Sequence, residues 1–174
     1  MDLSFPPGQA VNDGISKVFY QGQEFKLKYP SVDDLVKLVR LKGKGSMLFK
    51  VDLKSAFCQL PVDPGDIHLL SYVWKGHIYM DKVMAMGCRS AAMCCQRLTD
   101  AISYVFYNMG YACVNYLDDF GGVDTYINAG RAYNGLRLLL SRLGIVVSEN
   151  KCSAPNQSMV FLGVLAIKLF PLSI

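Results

Sequence analysis

Apolar and polar positions along the chain alternate between two periods, one near 3.6 and one near 2, with glycine-rich breaks between them. Ser31 precedes Val32, Leu35, Val36 and Val39, which share one helical face, and Asp34 follows Ser31 at capping-box spacing. Gly43 and Gly45 end that helix. Ser46 to Asp52 then reads as a strand with Asp52 at its C-terminal end. Ile67 to Trp74 and His77 to Met84 flank Lys75-Gly76 as a hairpin. Cys88 to Met109 spaces Ala92, Cys95, Leu98 and Ile102 for a helix stopped by Asn108, Met109 and Gly110. Tyr111 to Asn115 and Gly121 to Val123 form a second hairpin. Asn128 to Leu143 is another amphipathic helix, with Leu136, Leu139, Leu140 and Leu143 inward and Gly144 closing it. Ile145 to Val147 and Val160 to Leu162 read as short strands. Residues 1–30, with turn signals at Pro6-Pro7-Gly8 and Asn12-Asp13-Gly14, specify little packed structure. The pattern predicts an α+β fold, an antiparallel sheet backed by two helices.

The second hairpin carries the chemistry. Its tip, Tyr116-Leu117-Asp118-Asp119-Phe120, holds two adjacent carboxylates in apolar surroundings. A flat strand sends successive side chains to opposite faces, so only a tight turn brings both acids toward one site. Crowded carboxylates resist ionising, and a divalent cation would remove that penalty. The ordinary alternative is a solvated Asp-Asp turn. Asp52 ends a strand of its own, and the expectation is that it meets Asp118 and Asp119 in space. Three carboxylates without His or Cys suit two hard cations, Mg²⁺ or Mn²⁺, rather than zinc. His68 and His77 have no such company and read as structural; Asp63 and Asp66 read as turn formers.

Composition changes the picture little. The 174 residues are 52% hydrophobic with a formal net charge of +4, enough for one core and compatible with a nucleic-acid partner without requiring it. Six cysteines, at 58, 88, 94, 95, 113 and 152, include an adjacent pair and no Cys-x-x-Cys, which points to reduced thiols and an intracellular setting, cytoplasm or nucleus. No signal peptide is evident, and the apolar stretch from Met159 to Ile174 is interrupted by Lys168 and Pro171, so no membrane span is expected. Lys17, Lys26 and Lys28, among Phe19, Tyr20, Phe25 and Tyr29, could contact a nucleic-acid backbone or form a solvated face.

Taken in order, Val51-Asp52-Leu53-Lys54-Ser55-Ala56-Phe57, Met86-Gly87-Cys88-Arg89-Ser90-Ala91 and Tyr116-Leu117-Asp118-Asp119 resemble successive palm motifs of reverse transcriptases. Leu143-Gly144-Ile145, Glu149-Asn150-Lys151-Cys152 and Phe161-Leu162-Gly163 look like the motifs that follow. The run from Phe5 to Gly14, with Tyr29 to Asp34, resembles the upstream fingers region. Among subgroups the chain is most similar to tyrosine-recombinase (DIRS-like) retrotransposons.

The resemblance implies a polymerase palm, ferredoxin-like, with partial fingers: residues 1–45 partial fingers, 46–60 and 87–158 palm, 61–86 a fingers hairpin, and 159–174 a primer-grip strand with no thumb after it. It implies an RNA-directed DNA polymerase of a retroelement, adding deoxynucleoside triphosphates to a primer on an RNA or DNA template. Asp52 and Asp118 would bind the two metals, with Asp119 assisting and the Leu53 carbonyl on the nucleotide side. Ala56 and Phe57 would line the nucleotide, Phe57 abutting the sugar 2′ position, and Gly87 would admit its close approach. Lys151 would help pyrophosphate leave. Arg89 and Tyr116 would meet the template–primer, and Phe161, Leu162 and Gly163 the primer end. Ala85-Met86 stand where the family often has Pro-Gln, and Cys58 stands where arginine is expected. Relatives continue beyond both ends, so the alternative expectation is a non-catalytic palm remnant that at most binds nucleic acid. Oligomeric state is not encoded in any of these motifs.

Overall fold

A computed structural model describes residues 2–20, 22–24 and 26–167. Phe25 and the end of the apolar tail, 168–174 with Lys168 and Pro171, lie outside the described residues. The elements, in chain order, are β1 (Phe19–Tyr20), β2 (Gln23–Glu24), α1 (Val32–Lys42), β3 (Ser46–Asp52), β4 (Ser71–Trp74) and β5 (His77–Met80). They continue with α2 (Ala91–Asn108), β6 (Cys113–Tyr116), β7 (Asp119–Thr125), α3 (Ala129–Arg142), β8 (Ser153–Asn156), β9 (Ser158–Phe161) and β10 (Val164–Ile167). The chain forms two compact units: Met1–Lys28 with Ser55–Cys95, and Tyr29–Lys54 with Gln96–Ile174.

In the first unit β1 pairs with β2 and β4 with β5, both antiparallel. The β4–β5 hairpin is shorter than its apolar run suggests, because Ile67–Leu70 coils into a 3₁₀ turn and Leu70 turns inward. Its turn is Lys75-Gly76, at φ 48° and 75°, a two-residue connection that suits strand twist. Backbone bonds from Met84 to Leu60 and from Val62 to Lys82 tie the chain leaving the hairpin to the chain entering it.

The second unit is built on a four-stranded antiparallel sheet of order β6-β7-β3-β8. Residues directly opposite across an antiparallel pair share a face, so the register sorts the side chains. One face carries Leu48 with Val123, Lys50 with Gly121, and Asp52 with Asp119. Its apolar part joins Val114, Leu35 of α1, and Met159 and Phe161 of β9 in one cluster. The other face carries Phe49 opposite Gly122 and Val51 opposite Phe120, and α3 packs there through Tyr133, whose ring meets Phe49 edge-on. A Cβ on Gly122 would lie 2.0 Å from the Phe49 ring, so only glycine admits that ring. Each fully buried Phe or Leu contributes about 2 kcal/mol by leaving water.

Most elements lie where periodicity puts them. The Ser31–Asp34 capping box forms, with the Asp34 carboxylate accepting from the Ser31 N–H at 2.9 Å, and Gly43 ends α1 at φ 76°. The chain has three helices, of which α1 covers one face of the sheet and α3 the other. Ile145 to Val147 is not a strand: only Val147 bridges, to Leu53. The edge strand is β8 instead, where Pro155 is tolerated because no ladder bond is needed on its outer side.

Candidate active site

The acids meet through the ladder. Asp52, last in β3, is the direct partner of Asp119, first in β7, which in turn pairs with Tyr116 at the end of β6. Tyr116, Asp119 and Asp52 therefore form one row across the sheet on one face. Tyr29 closes over this row, its ring centroid 5.0 Å from that of Tyr116. Leu117 and Asp118 make the turn, and the Leu53 N–H donates to the Asp118 carbonyl at 2.8 Å. Beyond β3, Lys54 N–H donates to Val146 and Ser148 N–H to Asp52. That pattern leaves both polar groups of Leu53 facing the hairpin tip rather than Val147.

The turn is pinned from outside the hairpin. Leu117 sits at φ 50°, costing about 1 kcal/mol for a residue with a Cβ. Gln96 of α2, 1% exposed, accepts the Leu117 N–H at 2.8 Å and donates to the Asn115 carbonyl at 3.1 Å. One side chain thus satisfies the free outer edge of β6 on both sides of Tyr116. Asn115 is buried too, donating to Thr99 and Asp100 and accepting from Ser103. Sequence reasoning missed Gln96 and Asn115. Their signal was two amide side chains on otherwise apolar faces, placed where an edge strand needs partners.

The electrostatics at the row are unbalanced. Asp52 is 4% exposed and its Oδ1 has no hydrogen-bond partner. Burial pushes its carboxyl up to about 6; the neighbouring Asp119 adds to the rise, Lys151 partly offsets it, and Asp118 contributes last. The Lys151 ammonium stands 3.7 Å from Asp52 Oδ1, beyond hydrogen-bond reach, and is 61% exposed. A second cation, Lys50, was not anticipated: its Nζ lies 2.9 Å from Asp119 Oδ1, too far out of line for a hydrogen bond. At the other end of the same ladder, buried Asp124 has both oxygens matched, by Lys42 at 3.0 Å and by the Thr125 N–H at 2.7 Å.

Among the described residues no three His, Cys, Asp or Glu side chains already converge as a cage for a cation. The donor set nevertheless fits a hard divalent ion. It offers a buried carboxylate oxygen that accepts no hydrogen bond and two further carboxylates beside it. All six thiols are free; burial holds Cys113 up at about 11, and burial likewise raises Cys152, whose thiol bonds the Asp52 backbone.

Four expected site residues belong to the first unit. Ala56 and Phe57 lie in a 3₁₀ turn, Ala56 buried and Phe57 half-buried. Gly87 is at φ 87°, and its carbonyl accepts from Asn12 at 2.9 Å, while Asn12 Oδ1 accepts the Arg89 N–H at 2.8 Å. Asn12, 4% exposed, clamps this loop on both sides of Cys88, a role invisible in its Asn-Asp-Gly turn signal. Arg89 reaches back to the Ile15 carbonyl and rims a cleft with Lys17, Lys26, Phe19 and Tyr20. In the second unit, Phe161 is fully buried, and Leu162-Gly163 turn at φ 50° and 75° between β9 and β10.

The sequence profile of the family described as reverse transcriptase (RNA-dependent DNA polymerase) matches residues 4–165. The chain belongs to the reverse transcriptase family. Members of that family generally use divalent metal ions. No curated protein sequence matches. Among solved structures, a foamy viral protease-reverse transcriptase in complex with double-stranded DNA is 18% identical, with a TM-score of 0.73 over 91% of this chain and 26% of that one. A mutant of the prototype foamy virus protease-reverse transcriptase is 22% identical, with a TM-score of 0.68 over 91% of this chain and 20% of its own. The foamy viral protein in complex with an RNA/DNA hybrid is 17% identical, with a TM-score of 0.62 over 70% of this chain and 16% of its own. At these identities the likeness shows the fold, the reverse transcriptase palm. This chain spans 16–26% of the length of those three. None of its described helices is long and apolar enough to cross a membrane.

Proposed function

We propose that this chain is the fingers-and-palm part of an RNA-directed DNA polymerase of a retroelement, with Asp52 and Asp118 holding two Mg²⁺ or Mn²⁺ ions. The observation that carries the reading is the buried Asp52 carboxylate, whose Oδ1 accepts no hydrogen bond, set against Asp119 and the Asp118 tip. A carboxylate so placed costs stability unless a cation completes it. Bound there, the two ions would activate the attacking oxygen and neutralise charge on the leaving group. Residues 46–60 and 87–158 would be the palm, and 1–45 and 61–86 would supply fingers.

The residues divide the remaining work. Asp119 assists at the acid row, and the Leu53 carbonyl faces the nucleotide side. Phe57, with Ala56, excludes a ribose 2′-hydroxyl, selecting deoxyribonucleoside triphosphates. Gly87 lets the incoming nucleotide approach the backbone closely. Lys151 supplies positive charge, and a proton, to the departing pyrophosphate. Arg89 and Tyr116 align the template–primer, and Phe161, Leu162 and Gly163 support the primer end. The Lys17, Lys26 and Arg89 cleft, with its aromatic rings, supports a nucleic-acid partner.

The test is thermal melting of the whole chain with and without Mn²⁺. Wild type should melt higher with Mn²⁺, by mass action on the folded state. Asp118→Asn should melt higher than wild type in chelator and respond less to metal, because one change removes both a repelling charge and a ligand. If Asp118→Asn instead melts lower in chelator and keeps the full response, the tip is only a turn.

A further inference from the structure

We infer that Lys50 is a positioning residue that divides the two adjacent aspartates into different roles, holding Asp119 back from the cation bound by Asp52 and Asp118. The inference rests on the metal reading above and goes beyond it, because Lys50 belongs to no motif of that site. Lys50 lies two residues before Asp52 on β3, so both side chains leave the same face. Its direct partner on β7 is Gly121, which has no side chain, and Asp119 is two residues further along that strand on the same face. A Cβ at Gly121 would meet the Phe161 ring at 2.9 Å, so that position is closed to anything larger. With the Phe161 ring over Gly121, the Lys50 ammonium ends at Asp119 Oδ1, 2.9 Å away. The two cations at the row differ. Lys50 is 18% exposed and enclosed, whereas Lys151 is 61% exposed and stands off from Asp52.

This pairing accounts for an asymmetry among the acids. Asp119 and Asp52 are cross-strand neighbours, and Oδ1 of each lacks a hydrogen bond, yet Asp119 has an enclosed ammonium at 2.9 Å and Asp52 only the exposed Lys151 at 3.7 Å. It also accounts for three nearby carboxylates that do not converge as a cage. The charge of Lys50 offsets that of Asp119, leaving Asp52 and Asp118 with only the exposed Lys151 for positive charge.

The experiment is a double-mutant cycle on Mn²⁺ affinity, read by the electron paramagnetic resonance signal of the free ion, with the whole chain and no substrate. Lys50→Met should tighten Mn²⁺ binding roughly tenfold, the attraction that one released carboxylate adds for a divalent ion even under water-like screening. The gain should depend on Asp119: in an Asp119→Asn background, adding Lys50→Met should leave Mn²⁺ affinity where Asp119→Asn alone puts it. Lys50→Arg, which keeps the charge, should bind as wild type does. A gain of equal size with and without Asp119 would show plain long-range repulsion and overturn the inference, as would an unchanged affinity in Lys50→Met. Circular dichroism checks folding, and Lys50→Ile replaces Lys50→Met if the latter is unfolded. Asp118→Asn separates the two levels: if it leaves Mn²⁺ affinity unchanged, the metal site itself is wrong. If it weakens binding while the Lys50 variants do nothing, only the role of Lys50 falls.

Discussion

The two ends of the β3–β7 ladder bury an aspartate in opposite ways. At one end Asp124 is 3% exposed, and both its oxygens are matched, by Lys42 and by the Thr125 N–H. At the other end Asp52 is 4% exposed with a bare oxygen, beside two more carboxylates. Burial is the same; compensation is not. A matched buried acid is a structural clasp, while an unmatched one stores a demand for positive charge. The backbone around the two differs accordingly. The Asp124 end needs only its own strand and a lysine from the end of α1. The Asp52 end is braced by Gln96, by Leu53 and by the strained Leu117 turn, which together hold a repelling group of acids in place.

Breaking the clasp should have the largest effect. Lys42→Met leaves Asp124 buried without its counter-charge and should destabilise the chain by about 2–3 kcal/mol, read by urea unfolding at neutral pH. If the loss is under about 0.5 kcal/mol, a range ordinary for surface substitutions, the two ends are not different in kind.

Asp52→Asn should act in the opposite direction. Folding raises the Asp52 carboxyl from 3.8 to about 6, so at pH 5 the folded chain holds a proton that the unfolded chain has released. Stability in metal-free buffer should therefore fall as pH rises from about 4 to about 6 and lose nothing further above that from this group. The asparagine variant should lack that decline and exceed wild type at pH 7. A variant that is less stable than wild type at pH 7 in chelator would mean that the bare carboxylate is compensated after all.

The smallest effect is expected at Asp34, an exposed acid that the sequence alone identifies. Bonds from Lys37 and then from Ser31 hold its carboxyl down at about 2. The sign is reversed: its contribution is present above about pH 4 and is lost as pH falls toward 2. Asp34→Asn should weaken the chain slightly at pH 7 and flatten only that acidic limb. A change in the pH 4–6 region instead would show that Asp52 is not its source.

Much of the fold was legible because it depends on neighbours in sequence. Capping at Ser31, the glycine stops at Gly43 and Gly144, the Ser46–Asp52 strand and the α3 stripe are each set by residues within a few positions. The Asp118-Asp119 tip was legible for the same reason, as a turn between two apolar runs. The strand at Ser153–Asn156 was not, because an edge strand with a proline carries a weak period and forms only where β3 offers it an edge. Ile145 to Val147 failed in reverse: its β-branched residues suit a strand, but only Val147 finds a partner.

What the sequence alone determined about this protein was its inventory: the helices and most of the strands, the three acids at strand and turn ends, and the motifs that resemble reverse transcriptases. The tertiary structure alone decided which groups compensate which. Lys50 and Lys42 are both lysines near strand or helix ends, yet one meets Asp119 and the other Asp124, through register set by the whole β3–β7 ladder. Gln96 and Asn115 stand 19 positions apart and become one brace only when α2 lies beside the free edge of β6. Local pattern specifies backbone and burial, because both follow from the hydrophobic effect and near-neighbour sterics. Pairing of charge and hydrogen bonds depends on distances of a few ångströms between remote segments, and no periodicity in the chain records those.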